Sequence, residues 1–592
     1  MAEMKVDQLK RLFVAATLWL AVGLSCHAED AAKTLYTLLD REWEWNMQQW
    51  PTWASSLGDR RWNDQWEDNS LETLAAQHEH QVQLMAELGR IDRKALSEAD
   101  RLNLDLYKRD MESQIEGWQF HLHLMPITQR DGIQLADELA DSLRFETVKD
   151  YEDWTARMQR FPKLMAQTIA LMKQGIAERI VQPKIVMQRV PGQIDRQINP
   201  KPEEHPFFKP FTTFPVSMAE PVRERLKAAA LKAVKEQVVP AYKDFKAFFV
   251  TEYLPACFDD VGAWQLPRGH DCYAHLARKF TTTTLSPQRI HDIGQGEVKR
   301  LTAEMEKIKA RTGFTGTLAE FFQFLRTDKR FYCASEADVL MQYQATAKRI
   351  DPTLVKLFHA MPRMPYGVQA IPAKVAPDTT AAYYREPSPD GSRAGTFFVN
   401  LYKPETRPTW EMMTLALHES VPGHHFQIAL AQEQGELPVF RRHLHFTAFI
   451  EGWALYCESL GDELGLYDDA YVKMGQLSFD MWRAVRLVVD TGMHEFKWSR
   501  EKSITFFKDH APRSEQDITN EVDRYIGWPG QALAYKVGQL KIRELRTRAE
   551  KALGDAFDVK GFHDVVLLGG ALPLDVLETR VNVWITACKA KH

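Results

Sequence analysis

Apolar residues recur at helical intervals through most of the chain. Leu35, Leu38, Leu39 and Trp43 share one helical face, and Trp45, Trp50, Trp53, Trp62 and Trp66 follow as an aromatic stripe that reads as core. The same period predicts helices from Leu71 to Leu88, Glu98 to Gln119 and Val148 to Val181. A proline-rich connection from Pro200 to Pro215 precedes a helix from Ala219 to Val238, which Pro240 bends or ends. Ser286-Pro287 opens another, with serine as cap and proline in the first turn. Strand signals are short and fall close together, at Val368 to Ile371, Ala373 to Val375 and Thr396 to Asn400, with a turn at Asp390 to Arg393. The pattern predicts a mostly α protein with one small β-sheet.

At 592 residues the chain exceeds the size of one ordinary compact core, so two helical lobes are expected, 29–285 and 286–592. A net charge of −5 spread over this length offers no basic stripe and excludes nucleic acid as a partner. The first 28 residues read as an export signal. Lys5, Lys10 and Arg11 precede an apolar run from Leu12 to Leu24, too short for a typical spanning helix, and cleavage is expected after Ala28. Acylation of Cys26, as in a lipoprotein, is the less favoured alternative. The mature chain is therefore expected in the periplasm or outside the cell, with no transmembrane span. It would keep five cysteines, of which Cys257 and Cys272 flank a loop-like stretch and are candidates for a disulfide.

The chemistry centres on Leu417-His418-Glu419-Ser420-Val421-Pro422-Gly423-His424-His425-Phe426-Gln427. A His-Glu pair followed by more histidine is how many zinc hydrolases begin their metal site: one imidazole ligates, the glutamate takes a proton from water, and a later histidine is the second ligand. The usual spacing of four is broken here, because Pro422 occupies that position. In a straight helix His424 would lie about 120° off the face of His418, and His425 would share that face about 10 Å further along. A break at Pro422-Gly423 favours His424 as the second ligand, with His425 as the alternative. Glu451 and Glu458, seven apart in an apolar run from Phe449 to Leu460, are the candidate carboxylates. Gly452 beside Glu451 would let another backbone approach closely.

These two stretches closely resemble the bacterial family catalogued as domain of unknown function 885. So do Tyr383-Tyr384 through Asn400, Asp490-Thr491-Gly492-Met493-His494, and Arg524-Tyr525 through Pro529-Gly530-Gln531-Ala532-Leu533-Ala534-Tyr535-Lys536. That family is similar to the helical zinc peptidases that include thimet oligopeptidase and angiotensin-converting enzyme. The resemblance implies a two-lobed helical zinc-peptidase-like fold with Zn2+ held by His418, His424 and Glu451, and with Glu419 as base. It also implies a late tyrosine over the metal, Tyr525 or Tyr535.

Further candidates follow from the chemistry. An oxyanion needs a donor besides the metal, and His494, four residues after Asp490, is a candidate that Asp490 would orient. Arg483, Arg486, Arg524 and Lys536 are candidates for binding substrate. The small sheet offers an edge on which an extended peptide can lie. The expected function is an exported zinc metallopeptidase acting on short or unfolded peptides. Its rivals are a metal-dependent hydrolase of a non-peptide amide or isopeptide bond, and a non-catalytic exported scaffold.

Overall fold

The computed structural model describes residues 30–590 except 374, 389, 390, 392 and 436. The expected signal segment, Cys26 included, and two residues of the expected turn, Asp390 and Ser392, lie outside the described residues.

Capping side chains start the helices at the positions the pattern predicts. After a first helix over 30–49 (α1), Ser70 Oγ accepts from the Thr73 N–H ahead of α2 (Leu71–Leu88). Ser97 does the same for Asp100 ahead of α3 (Glu98–Trp118). Before α4 (Val148–Glu178) the Asp150 carboxylate accepts from the Thr147 N–H at 2.7 Å. Ser286 Oγ accepts from Arg289 N at 3.2 Å and opens α5 (Pro287–Arg311). Each contact satisfies a donor that the first helical turn leaves without a partner.

Two expectations about the N-terminal half are met only in part. Pro240 does not end its helix. Glu220–Ala233 runs through a wide π turn at Val234–Val238 into Val239–Phe248, and a second wide turn at Phe249–Tyr253 precedes Pro255. A π turn moves the hydrogen-bond register by one residue, which relieves the missing proline N–H and the clash with the carbonyl behind it. The tryptophan stripe is core only in part: Trp66 packs against the main apolar cluster and its indole N–H donates to the Arg157 carbonyl at 2.8 Å. Leu35, Leu38, Leu39 and Met47 are buried, whereas Trp53 is 37% exposed and packs edge-on against Trp43 at the surface.

The sheet has order β1-β3-β2, with β1 (Tyr366–Ala370) parallel and β2 (Ala382–Arg385) antiparallel to β3 (Gly395–Val399). The expected strand at Ala373 to Val375 is absent: Ala373 and Val375 sit in a turn that runs into a 3-10 helix, Ala376–Asp378. β2 takes its place. The chain then enters α6 (Met412–Glu419), α7 (His424–Gln432), α8 (Thr447–Leu464), α9 (Ala470–His494), α10 (Glu515–Gly527) and α11 (Ala534–Leu553).

Most of these elements share one interior, while α1 and α2 with part of α3 bury a separate apolar cluster around Leu35, Leu84 and Leu104. A single apolar cluster runs from Leu106 to Ile585 and takes in Tyr242, Leu301, Phe397, Trp453 and Val522. The cluster draws residues from both sides of 285/286. α5 lies along α9 so closely that a Cβ on Gly294 would meet Leu487 at 2.7 Å. Cys257 and Cys272 are buried free thiols rather than a disulfide, each pushed up to about 12 by burial. No helix among the described residues is long and apolar enough to cross a membrane.

Candidate metal centre

The break in the central motif is real and sharply defined. α6 ends at Glu419, the chain turns through Ser420 to Gly423 with a cis Val421-Pro422 bond, and α7 begins at His424. A Cβ on Gly423 would stand 1.9 Å from the His418 carbonyl oxygen, so only glycine fits there. The Pro422 carbonyl accepts from the Trp453 indole N–H at 2.8 Å, which ties the break to α8. The last turn of α6 and the first of α7 thus present His418 and His424 to each other, ring centroids 4.8 Å apart and planes nearly perpendicular. His425 faces elsewhere. Its Nδ1 accepts from the Tyr384 hydroxyl at 2.8 Å and its Nε2 donates to the Met364 carbonyl at 2.9 Å.

α8 supplies the carboxylate. Gly452 meets Gly538 of α11 where any Cβ would lie 2.5 Å from backbone, so the two helices touch main chain to main chain. This close crossing seats Glu451, whose Oε2 stands 3.5 Å from His418 Nε2 and 3.3 Å from His424 Nε2. One donor atom from each of the three residues lies within 4.8 Å of the others, and among the described residues no other such cluster occurs. Donors bonded at about 2.0–2.1 Å to a tetrahedral zinc stand roughly 3.3–3.4 Å apart. Glu451 Oε2 is buried yet makes no hydrogen bond, as expected of an atom whose partner is a cation. Two imidazoles and a carboxylate, so spaced, fit zinc.

The surroundings orient this set. His418 Nδ1 donates to Glu458 Oε1 at 2.8 Å, and Arg483 Nη2 lies 3.3 Å from the same oxygen. Of the two candidate carboxylates, Glu451 therefore joins the cluster and Glu458 fixes the ring behind it. Burial alone would lower His418, but the Glu451 and Glu458 carboxylates outweigh it and hold the imidazole at about 9. Burial raises the carboxyl of Glu419, which stands next to His418 on the same wall.

That wall encloses a cavity of about 720 Å3. Residues 380–384, which include part of β2, form one side, and 128–131 cross from the N-terminal half. Trp482, Arg483 and Arg486 of α9, Glu521 and Arg524 of α10, and Trp528, Gln531 and Tyr535 also line it. Among the described residues β2 pairs with β3 alone, and on its outer edge the Ala382 carbonyl accepts from the Thr380 hydroxyl at 3.3 Å. The Ala381 carbonyl accepts from Asn400 N, so the ladder's alternation turns the Ala382 and Tyr384 main-chain groups outward.

A family model described as bacterial protein of unknown function (DUF885) matches residues 51–581. The chain belongs to this family. No curated protein matches it. Two solved structures share the DUF885 chain's fold over nearly its whole length. One is titled "putative lipoprotein" from Colwellia psychrerythraea, with a TM-score of 0.86 and 28% identity, covering 95% of this chain and 99% of that one. The other, from Shewanella oneidensis, is titled a "putative lipoprotein of unknown function", with a TM-score of 0.70 and 16% identity over 93% and 99% of the two chains.

Several residues expected at the site of this DUF885 protein stand elsewhere. His494 is fully buried away from the cavity. Its Nδ1 accepts from Ala263 N at 3.0 Å, its Nε2 donates to the Tyr525 carbonyl at 3.1 Å, and burial lowers it to about 4. Asp490 does not orient it, accepting instead from the Tyr273 hydroxyl at 2.5 Å and from Gly530 N at 3.2 Å. Lys536 is solvent-excluded and bonds Asp480 at 2.5 Å and Glu297 at 2.9 Å. The Tyr525 hydroxyl accepts from Trp482 Nε1 and Arg486 Nε and donates to Glu521, which leaves it nothing for a substrate. Tyr535 does line the cavity, and so do Arg486 and Arg524. Sequence reasoning missed two more lining residues. His445 lies on the same wall, where burial and the neighbouring His424 lower it while Glu451 raises it, and Arg130 comes from a segment with no periodic signal.

Proposed function

We propose that this protein is an exported zinc metallopeptidase. The observation that carries the reading is the convergence of His418, His424 and Glu451 on one point of a cleft wall, with Glu419 adjacent. A scaffold has no need of an acid beside such a cluster. His418, His424 and Glu451 would hold the metal, which when bound supplies Lewis acidity that lowers the pKa of water toward about 7 and polarises a carbonyl. Glu419 accepts a proton from the attacking water and returns it to the leaving amine nitrogen. The Tyr535 hydroxyl, kept protonated by burial, and the His445 imidazole are the cavity groups able to donate to a developing oxyanion. The outer edge of β2 would hold a peptide in extended form by its main chain, which suits short or unfolded chains.

Export rests on the charged and apolar start of the sequence. The Colwellia neighbour's title also favours a lipid anchor at Cys26 over cleavage after Ala28. Detergent-phase partition of wild type beside Cys26→Ala separates the two: a shift to the aqueous phase on substitution means acylation.

The function is tested by metal content and cleavage of a mixed peptide library. Wild type is expected to carry about one zinc and to cleave. Glu419→Gln should keep the metal and lose at least about 1000-fold in rate, and His424→Ala should lose both. Metal-free wild type that stays inert when zinc is added back sinks the reading.

A further inference from the structure

A second pocket, of about 270 Å3, adjoins the cavity, and the proposed reaction does not use it. Thr128, Gly527 and Trp528 line both spaces, so they meet where the end of α10 packs against residues 128–131. Gln129 Nε2 fastens that seam by donating to the Asp523 carbonyl at 2.8 Å. The pocket is a gap between apolar clusters. Phe258 packs on the main cluster, Leu122, Met125 and Phe280 on smaller ones, and Leu266 touches three of these smaller clusters at once. All five side chains line the gap and are only partly buried, so apolar surface is left facing it. The polar groups there are already engaged. Gln182 Nε2 donates to the Ile127 carbonyl at 3.3 Å, and Thr128 Oγ1 accepts from Arg130 N at 3.1 Å. Lys279 is exposed, its ammonium 6.0 Å over the Phe280 ring, and among the described residues no acidic side chain lines the space.

Trp528 gives the pocket its connection to the metal cluster. The residue is 51% exposed, and Phe280 meets its ring edge-on at 6.2 Å. An indole left open at the seam between a polar cavity and an apolar pocket is a face on which another ring can stack. The same turn carries Gln531, whose N–H donates to the Trp528 carbonyl at 3.4 Å and whose side chain hydrogen-bonds Tyr535. Burial and, next, the Glu451 carboxylate keep the Tyr535 hydroxyl protonated. Two side chains, Gln531 and Tyr535, therefore link this turn to the cluster. Size fits the same reading: an apolar cavity of about 150 Å3 already takes a benzene-sized ring.

We propose that this pocket is a specificity subsite for one large apolar side chain, aromatic above all, of the peptide bound in the cavity, with Trp528 as its stacking face and Lys279 turning away basic side chains. This rests on the peptidase reading. The pocket's continuity with the cavity is what assigns it to the substrate.

The experiment uses peptides of one core sequence in which each position in turn is Phe, Leu, Ala, Glu or Lys. Cleavage is followed by mass spectrometry with zinc-loaded wild type, and binding by calorimetry on the zinc-loaded Glu419→Gln protein. At one position, counted from the cleaved bond, Phe is expected to exceed Ala by about 10- to 100-fold in kcat/KM, with Lys the poorest. Trp528→Ala, on an exposed ring, should cut the Phe-to-Ala ratio about 3- to 10-fold. Lys279→Glu should raise Lys relative to Glu at that same position. A loss of folding would slow every peptide alike and leave these ratios unmoved. No apolar preference at any position overturns the subsite, as does a preference that both variants leave unchanged. Glu favoured over Phe overturns the apolar assignment in favour of an acidic side chain paired with Lys279. Tighter Trp528-dependent binding of a Phe peptide, with no cleavage by wild type, leaves the pocket standing and removes the peptidase reading instead.

Discussion

Glu458 touches no substrate, yet it decides how His418 presents its Nε2. The carboxylate accepts the Nδ1 proton at 2.8 Å and is itself met by Arg483. Glu458→Gln keeps an oxygen in place but loses the charge, and outer partners of this kind are worth about 10- to 100-fold in metal affinity. A competition titration with a chromogenic chelator should read that loss, with the helical circular dichroism unchanged. His425→Phe is the contrasting change: its two bonds go to Tyr384 and the Met364 carbonyl, so zinc content should stay at wild type while stability drops by about 1–3 kcal/mol. At this scale the sequence exposed the cluster itself, because a histidine, an acid and a helix break are all local signals. It misplaced His494 and Lys536 because their partners come from far along the chain. Ala263 and the Tyr525 carbonyl claim the first, and Asp480 and Glu297 the second. Spacing along one helix cannot reveal which neighbours occupy its faces.

The candidate metal set depends on how α8 meets α11. A Cβ on Gly538 would lie 1.8 Å from the Ala448 carbonyl and one on Gly452 2.5 Å from Gly538, with backbone on both sides and no flexible side chain to yield. Gly452→Ala is therefore expected to push α8 outward and take Glu451 with it. The protein should lose several kcal/mol, about the cost of an overpacked core site or more. It should also bind zinc more weakly than Glu458→Gln does, which chelator competition on the folded fraction would check. Helices were legible because their apolar period is local, and the start at Ser286-Pro287 because cap and first-turn proline are adjacent. β2 was not, since four residues form a strand only where β3 offers its ladder. The run through Pro240 was also hidden, because it requires a widened turn that the single sequence does not announce.

Across the whole molecule one apolar cluster joins residues on both sides of 285/286. Thermal unfolding should accordingly show one transition by both near- and far-UV circular dichroism, where two independent lobes would give two. Chain length suggests division into lobes, and contacts such as Tyr242 and Trp453 in one cluster, from residues far apart in sequence, are not visible to that argument. Titration bears on the same tertiary ties. Burial raises the Asp490 carboxyl to about 7, while an unfolded aspartate titrates near 3.9. Between these values the folded state keeps a proton that the unfolded state has released, so stability falls as pH rises from about 4 to 7 and is level above, at up to about 1.4 kcal/mol per pH unit. Asp490→Asn should flatten urea midpoints measured at pH 5, 6 and 7. A slope unchanged by the substitution would assign the effect to other groups.

The four-residue interruption between Glu419 and His424 places the two imidazoles on separate helices. Within one helix each inserted residue rotates everything beyond it by about 100°, so a paired motif tolerates no change of count. Here rotational phase is reset at the interruption, which Gly423 allows by clearing the His418 carbonyl. Genomes read with a rigid two-histidine template will pass over such chains. A template with a gap, anchored on the His-Glu pair and the later glutamate-glycine, will find them.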